Sequence, residues 1–183
     1  MKRVRSWTGV FITILIGFAH TSAFANSQKL LNDLADSVSV QAAQPIIDAL
    51  WKDWINAHQS EDEKTLMASG MAAMGRGRLK EAEYIFGELI QKNPDFVEAW
   101  NKRATVRFML WKFEESRDDV SEVLSREPRH FGALSGLGMI YLRLGQIDEA
   151  LGTYENLRII FPASPEVQRY IPMLRKKLGL TNL

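Results

Sequence analysis

Beyond its first 25 residues the chain holds two histidines, His58 and His130, the side chains best suited to move protons near neutral pH. They stand far apart. Neither belongs to a His-x-x-x-His or His-Glu-x-x-His pattern that would set two metal ligands on one helix face. Both read as surface or helix-capping residues. Paired carboxylates occur at Glu114-Glu115 and Asp118-Asp119, with Arg117 beside them. Carboxylates that do acid–base work need a pocket that shifts their pKa, and these read instead as a solvated helix face. Glu61-Asp62-Glu63 suits the first turn of a helix, where negative charge meets the positive end of the dipole. Gly75-Arg76-Gly77 follows no strand, so it reads as a turn rather than a phosphate cradle. Cysteine is absent, which excludes disulfides, thiolate catalysis and cysteine metal sites. No catalytic residue, metal ligand or cofactor is expected, and an enzyme is the least favoured class.

Composition and the chain start narrow the class. The 183 residues suit one domain or a short repeat array, and a hydrophobic fraction of 46% supplies ample core. Lys2, Arg3 and Arg5, an apolar run over residues 10–19 (VFITILIGFA) and Ala23-Phe24-Ala25 have the layout of a cleavable export signal. The run is shorter than the roughly 20 residues of a membrane-spanning helix. Arg3 and Arg5 are not adjacent, against the twin-arginine route, and without cysteine there is no lipoprotein-type N-terminus. The expectation is Sec-type export to a bacterial periplasm, cleavage after Ala25 and no stable membrane insertion afterwards. The full chain has 23 Lys+Arg against 22 Asp+Glu; the signal holds three of the basic residues and no acidic one, which leaves 20 against 22, or −2. That balance carries no basic excess for a nucleic acid. Export also removes access to ATP.

The elements that position these residues repeat. Pro94, Pro128 and Pro162 stand 34 residues apart. Twelve residues before each proline come Ala82, Ser116 and Ala150, all small; eight before come Phe86, Val120 and Tyr154, all bulky. Further back lie the small Gly70, Ala104 and Gly138, then the large Leu66, Trp100 and Leu134. Each unit reads as two amphipathic helices, over residues 131–144 and 147–160 in the third. Small residues let the two helices cross closely, bulky ones fill the space between units, and the proline ends the second helix. One unit cannot bury its apolar face alone, so units stack. Gly77-Arg78 and Gly145-Gln146 turn the first and third units. Trp111-Lys112 replaces the glycine turn in the second, which predicts a stiffer or more buried loop.

The segments AWNKRATVRFMLWKFEESRDDVSEVLSREP and ALSGLGMIYLRLGQIDEALGTYENLRIIFP resemble the tetratricopeptide repeat (TPR). The resemblance implies an all-α superhelix, an α-solenoid of three repeats (63–96, 97–130 and 131–164) with helical caps at both ends. Before it, residues 26–62 form a helical pair, read as helices over 28–38 and 45–58, with Pro45 in a first turn. Ile47, Leu50, Trp51 and Trp54 make an apolar stripe at helical spacing, and the pair is read as capping the array at its start. Residues 165–183 form a C-terminal capping helix, with Val167, Tyr170, Ile171 and Leu174 inward, Arg175-Lys176-Lys177 at its end and Pro172 inside it.

The resemblance further implies a protein or peptide partner on the concave face, lined by the first helix of each unit. By analogy the groove residues are Met67, Met71 and Met74 in the first unit; Asn101, Lys102, Thr105 and Phe108 in the second; and Ser135, Met139 and Leu142 in the third. Relatives that clamp a C-terminal carboxylate use Lys, Asn and Arg at positions occupied here by Met67, Met71, Lys102, Gly132 and Gly136, so that charged clamp is absent. The remaining groove is apolar and rich in methionine, a side chain that adapts to varied partners. It is either open or filled by the protein itself, through the Trp51/Trp54 helix or the chain before it. The chain also resembles small alphaproteobacterial periplasmic TPR proteins with a Trp-x-x-Trp segment. That resemblance implies a scaffold for envelope assembly or integrity; the methionine groove suggests a holdase-type chaperone as the alternative.

Overall fold

The computed structural model describes the backbone of residues 16–56 and 60–180, with side chains from residue 26 onward. His58 and the N-terminal part of the export signal lie outside the described residues. Those residues form nine α-helices and no strand. Two precede the repeats, α1 (Ile16–Ala35) and α2 (Val40–Asn56). Three pairs follow in the expected register: α3 (Glu61–Gly75) with α4 (Leu79–Lys92), α5 (Val97–Met109) with α6 (Phe113–Arg126), and α7 (Phe131–Leu144) with α8 (Ile147–Ile160). The last helix is α9 (Pro165–Lys177), which continues past Pro172. None of the described helices is long and apolar enough to cross a membrane.

Local chemistry sets these boundaries. Ser60 and Glu63 form a reciprocal capping box at the start of α3, each satisfying a backbone N–H of the other. Ser164 caps α9, with Pro165 in its first turn. Gly77 and Gly145 adopt left-handed backbone at φ 72° and 74°, where a side chain would be strained. Within each pair the small residues sit at the crossing. A Cβ on Gly70 would meet the Phe86 ring at 2.6 Å, and one on Gly138 the Tyr154 ring at 2.5 Å. Both rings are fully buried, so neither can step aside. Gly138→Leu is therefore expected to cost about 1–3 kcal/mol or more through overpacking. A thermal melt followed by circular dichroism checks this; an unchanged midpoint would count against the close crossing.

The first helices of the pairs touch each other, α3 with α5 and α5 with α7, so they line the inner side of the curve. Trp100 packs at the junction of the first and second units, touching the clusters on both sides.

The N-terminal pair departs from the expected arrangement. It does not continue the stack in front of α3. Instead α1 packs on α8 and α2 on α5. Leu31, Leu34, Leu50 and Trp54 join one core with Phe131, Leu134, Tyr154 and Leu157, sealed at the far end by Val167, Ile171 and Leu174 of α9. Only Ile55, at the end of α2, reaches the first-unit cluster. The apolar stripe of α2 thus faces the inner groove. Arg129 ties the arrangement together by donating to Gln28 at 3.2 Å and Asn32 at 2.9 Å. Helix α2 also begins earlier than the sequence suggests. Ser39 accepts from the Ala42 N–H at 3.2 Å and starts the helix at Val40, which leaves Pro45 inside it rather than in its first turn.

Candidate binding groove

The inner face is built on α5 and α7. Glu98, in the first turn of α5, is fully buried. Its carboxylate accepts from Asn101 Nδ2 at 3.1 Å on both oxygens and from Lys102 Nζ at 2.9 Å. His130 Nε2 lies 3.2 Å from it. The other ring nitrogen of His130, Nδ1, accepts from the Ala133 N–H at 3.0 Å and so caps α7. A nitrogen that accepts cannot carry a proton, which places the imidazole proton on Nε2, donating to Glu98. The capping role matches the sequence reading, but the surface alternative does not, because His130 is fully buried.

The α2 tryptophans cover this polar cluster. Trp54 stacks on His130 with ring centres 4.0 Å apart and planes inclined by 16°. Trp51 meets His130 edge-on at 5.5 Å, and the Lys102 ammonium sits 4.8 Å from the Trp51 ring centre. Buried charge is tolerable only when paired and hydrogen-bonded, and each Glu98 oxygen has its donors.

Burial alone would raise the Glu98 carboxyl, but the His130 hydrogen bond and the Lys102 ammonium outweigh it and hold the group below the ordinary value of 4.5. Glu83 behaves likewise. Burial pushes it up, and hydrogen bonds from Lys112 and Arg107 bring it below the same value. A depressed carboxyl stabilises the fold above its unfolded pKa and loses that contribution as pH falls through the folded value. The urea midpoint is therefore expected to hold between pH 8 and 5 and to fall steadily below about pH 4.5. A midpoint flat down to pH 3 would contradict this.

The expected groove residues separate into three groups. Asn101, Thr105, Phe108 and Met139 line one pocket of about 190 Å³ between α5, α6 and α7, floored by Ala104, Val120 and Ile140. Asn101, Lys102, Thr105 and Ser135 border a second recess of about 450 Å³, whose other wall is α2 through Val40, Ile47 and Trp51. The remaining four border neither. Met67 is buried in the first-unit core, and Met74 and Leu142 are half-buried against core clusters. Met71 is 37% exposed. The polar atoms of Asn101 and Lys102 are engaged with Glu98. Of the two alternatives for the groove, partial filling by the Trp51/Trp54 helix is what the structure holds. Gly132 permits it: a Cβ there would meet Trp51 Cη2 at 2.6 Å.

Two further sequence readings change. Asp119 is not on a solvated face. It is 2% exposed and binds Arg103 at 2.7 Å and Arg107 at 2.8 Å. Trp111 is not more buried than the glycines it replaces; it is 72% exposed. Glu61-Asp62-Glu63 does serve the start of α3, and Asp62 also pairs with Lys92 at 2.8 Å. Among the described residues no group of three potential metal ligands is present.

The family model of the coatomer epsilon subunit matches residues 25–172. A TPR repeat-containing protein of Rhizobium etli is 32% identical over 161 residues, covering 88% of this chain and 78% of the relative. Among solved structures, the first TPR of Spaghetti (RPAP3) bound to an HSP90 peptide superposes with a TM-score of 0.63 at 21% identity, over 66% of this chain and 96% of that one. The crystal structure of MamA gives 0.63 at 18% identity, over 76% and 82%. The α-solenoid implied by the 34-residue register is the fold these proteins share.

Proposed function

Because this chain belongs to the tetratricopeptide-repeat proteins, and to the family matched by the coatomer epsilon subunit model, we propose that it is a protein-interaction scaffold whose inner groove receives an apolar segment of a partner. The observation that carries this reading is the pocket between α5, α6 and α7. Its lining is mostly apolar, its rim holds Asn101 and exposed Thr105, and α2 fills the stretch beside it. A concave apolar site with a few polar groups is the usual form of a binding pocket. The Spaghetti (RPAP3) domain of the same fold is bound to an HSP90 peptide. Here the clamp positions hold Met67, Met71, Lys102, Gly132 and Gly136, so apolar side chains rather than a terminal carboxylate anchor the partner.

The scaffold acts in the periplasm, in envelope assembly or integrity. Support comes from the signal-like start and from the family match, which begins at residue 25. N-terminal sequencing of protein from fractionated cells should read Asn26 first; an intact Met1 would refute export by cleavage. A chaperone role is the second reading, favoured by the exposed Met71 and Met109. It predicts suppressed aggregation of an unfolded client, and no effect at several-fold molar excess would refute it. An enzyme is disfavoured because Trp51 and Trp54 close the His130–Glu98 pair off from any substrate.

In-cell photocrosslinking tests the groove. Crosslinkers replace Met71 and Met139, with Glu122 on α6 as the control. A discrete adduct from the groove positions, absent from the control, is the expected result. A smear equal to the control would refute a specific partner on this face.

A further inference from the structure

Three glycines of the repeats are spaces that an aromatic ring occupies. Phe86 takes the space at Gly70, Tyr154 that at Gly138 and Trp51 that at Gly132. Gly136 is different. It lies in the middle of α7, where glycine is less stable than alanine. A Cβ added there would meet nothing within 4 Å. Yet the residue is half-buried, so the space above it is a hollow rather than open surface. Gly152 has the same freedom, but it lies exposed on α8.

The hollow is the pocket between α5, α6 and α7. Gly132 and Gly136 stand one turn apart on one face of α7. Trp51 of α2 already seats its ring at the first of them. The recess that holds Trp51 and the pocket share Asn101, Thr105 and Gly132, so they form one continuous groove. The seat over Gly136 is the next one along it.

The lining states what fits. Its polar groups are spent within the protein. Asn101 Nδ2 donates to Glu98 at 3.1 Å, the Thr105 hydroxyl to the Asn101 carbonyl at 2.9 Å and the Ser116 hydroxyl to the Ala104 carbonyl at 2.7 Å. Among the described residues no charged side chain lines the pocket. A charged or polar anchor would lose its water there without gaining a strong partner. The volume is about 190 Å³, and an apolar cavity of roughly 150 Å³ is enough for a benzene ring. The Phe108 ring and the Met139 thioether on the walls both favour aromatic neighbours. We infer, resting on the scaffold reading above, that the pocket over Gly136 seats one phenylalanine side chain of the partner, the next ring in the row that Trp51 begins.

The mature chain, isotope-labelled at its methionine methyl groups, is titrated with N-acetyl-phenylalanine amide and followed by NMR. Among the described residues Met139 is the one methionine that lines the pocket. Its methyl signal should move upfield in the ring current and saturate in the millimolar range, while Met67 and Met173 stay still. N-acetyl-leucine amide and octanoate should bind at least fivefold more weakly. Gly136→Leu fills the hollow and should abolish the shift, with an unchanged or higher melting midpoint, because leucine suits a helix better than glycine. If Gly136→Leu melts below the parent, Gly136→Ala is read instead, and its methyl should weaken binding at least threefold. No saturable shift, equal movement of Met67, equal binding of leucine amide or octanoate, or full binding by Gly136→Ala would overturn the inference. A Met139 crosslink adduct without the ring shift would also overturn it and leave the scaffold reading standing. A ring shift without any groove adduct would sink the scaffold reading and support the aromatic seat.

Discussion

Replacing Glu98 by alanine is expected to cost about 3–5 kcal/mol, because the change strands buried partners rather than removing a surface charge. Lys102 keeps its ammonium against the Trp51 ring with no anion to answer it. The His130 Nε2–H loses its acceptor inside a site that water does not reach, and Asn101 loses both of its bonds. His130 also caps α7 and carries the Trp54 ring, so a shift of the imidazole loosens a helix start and the docked α2 together. Glu98→Gln separates shape from charge. It retains one acceptor oxygen and the volume, so its loss should be about 1–3 kcal/mol. Urea unfolding at pH 7 measures both variants. Equal, small losses would mean that the cluster contributes little and that the fold rests on apolar packing alone.

The same cluster shows where sequence reading reaches its limit. The repeat was legible because its signal is local and said three times. Small residues at 70, 104 and 138 and prolines at 94, 128 and 162 are consequences of one crossing geometry, and the third pair forms at the expected residues, Phe131–Leu144 and Ile147–Ile160. The stripe Ile47, Leu50, Trp51, Trp54 was equally legible as a face to be buried. Periodicity says that a face is covered and not by what. The covering surface lies on α7 and α8, about 80–110 residues away in sequence, and nothing near the tryptophans records it. One indirect signal was present: Gly132 has no role in a turn, and its missing side chain is the space Trp51 occupies.

Charge misled for the same reason. Asp118 and Asp119 are neighbours of one type, yet Asp118 is solvated and Asp119 is clamped by two arginines of α5. On a helix, adjacent residues point about 100° apart, so a run of like residues is divided between faces. The burial of Asp119 could be suspected only from Arg103 and Arg107, one turn apart on the facing helix. Of the two expectations for the Trp111 turn, stiffer or more buried, the burial fails: a bulky residue in place of glycine suggests packing, yet the ring meets Phe113 and Arg143 along one side and stays 72% exposed.

Truncating Trp54 to alanine is expected to remove about 3–5 kcal/mol from the docking of the N-terminal pair, with an effect that stays local. The ring is 8% exposed, stacks on His130 and contacts Phe131. Repeat units depend mainly on their neighbours, and the pair adds its contacts from the side rather than in series. Hydrogen exchange should therefore accelerate over residues 26–56 while α3 to α6 keep their protection. Loss of protection across the whole array would mean that the pair is integral to the solenoid. Trp54→Phe makes the comparison sharper. The Trp54 Nε1 donor is buried without a hydrogen-bond partner, a defect that costs about 1–3 kcal/mol. Phenylalanine keeps most of the stacking surface and removes the defect, so this variant should dock as well as the parent or better. A groove filled by a helix with an unsatisfied donor is less committed than a groove filled by a core, and the two substitutions measure that difference. If Trp54→Phe holds the pair more tightly and lowers the yield of the Met139 crosslink, the pair competes with the partner for the groove. If docking tightens and the crosslink is unchanged, the partner uses only the pocket between α5, α6 and α7, and the pair is a fixed wall of the site.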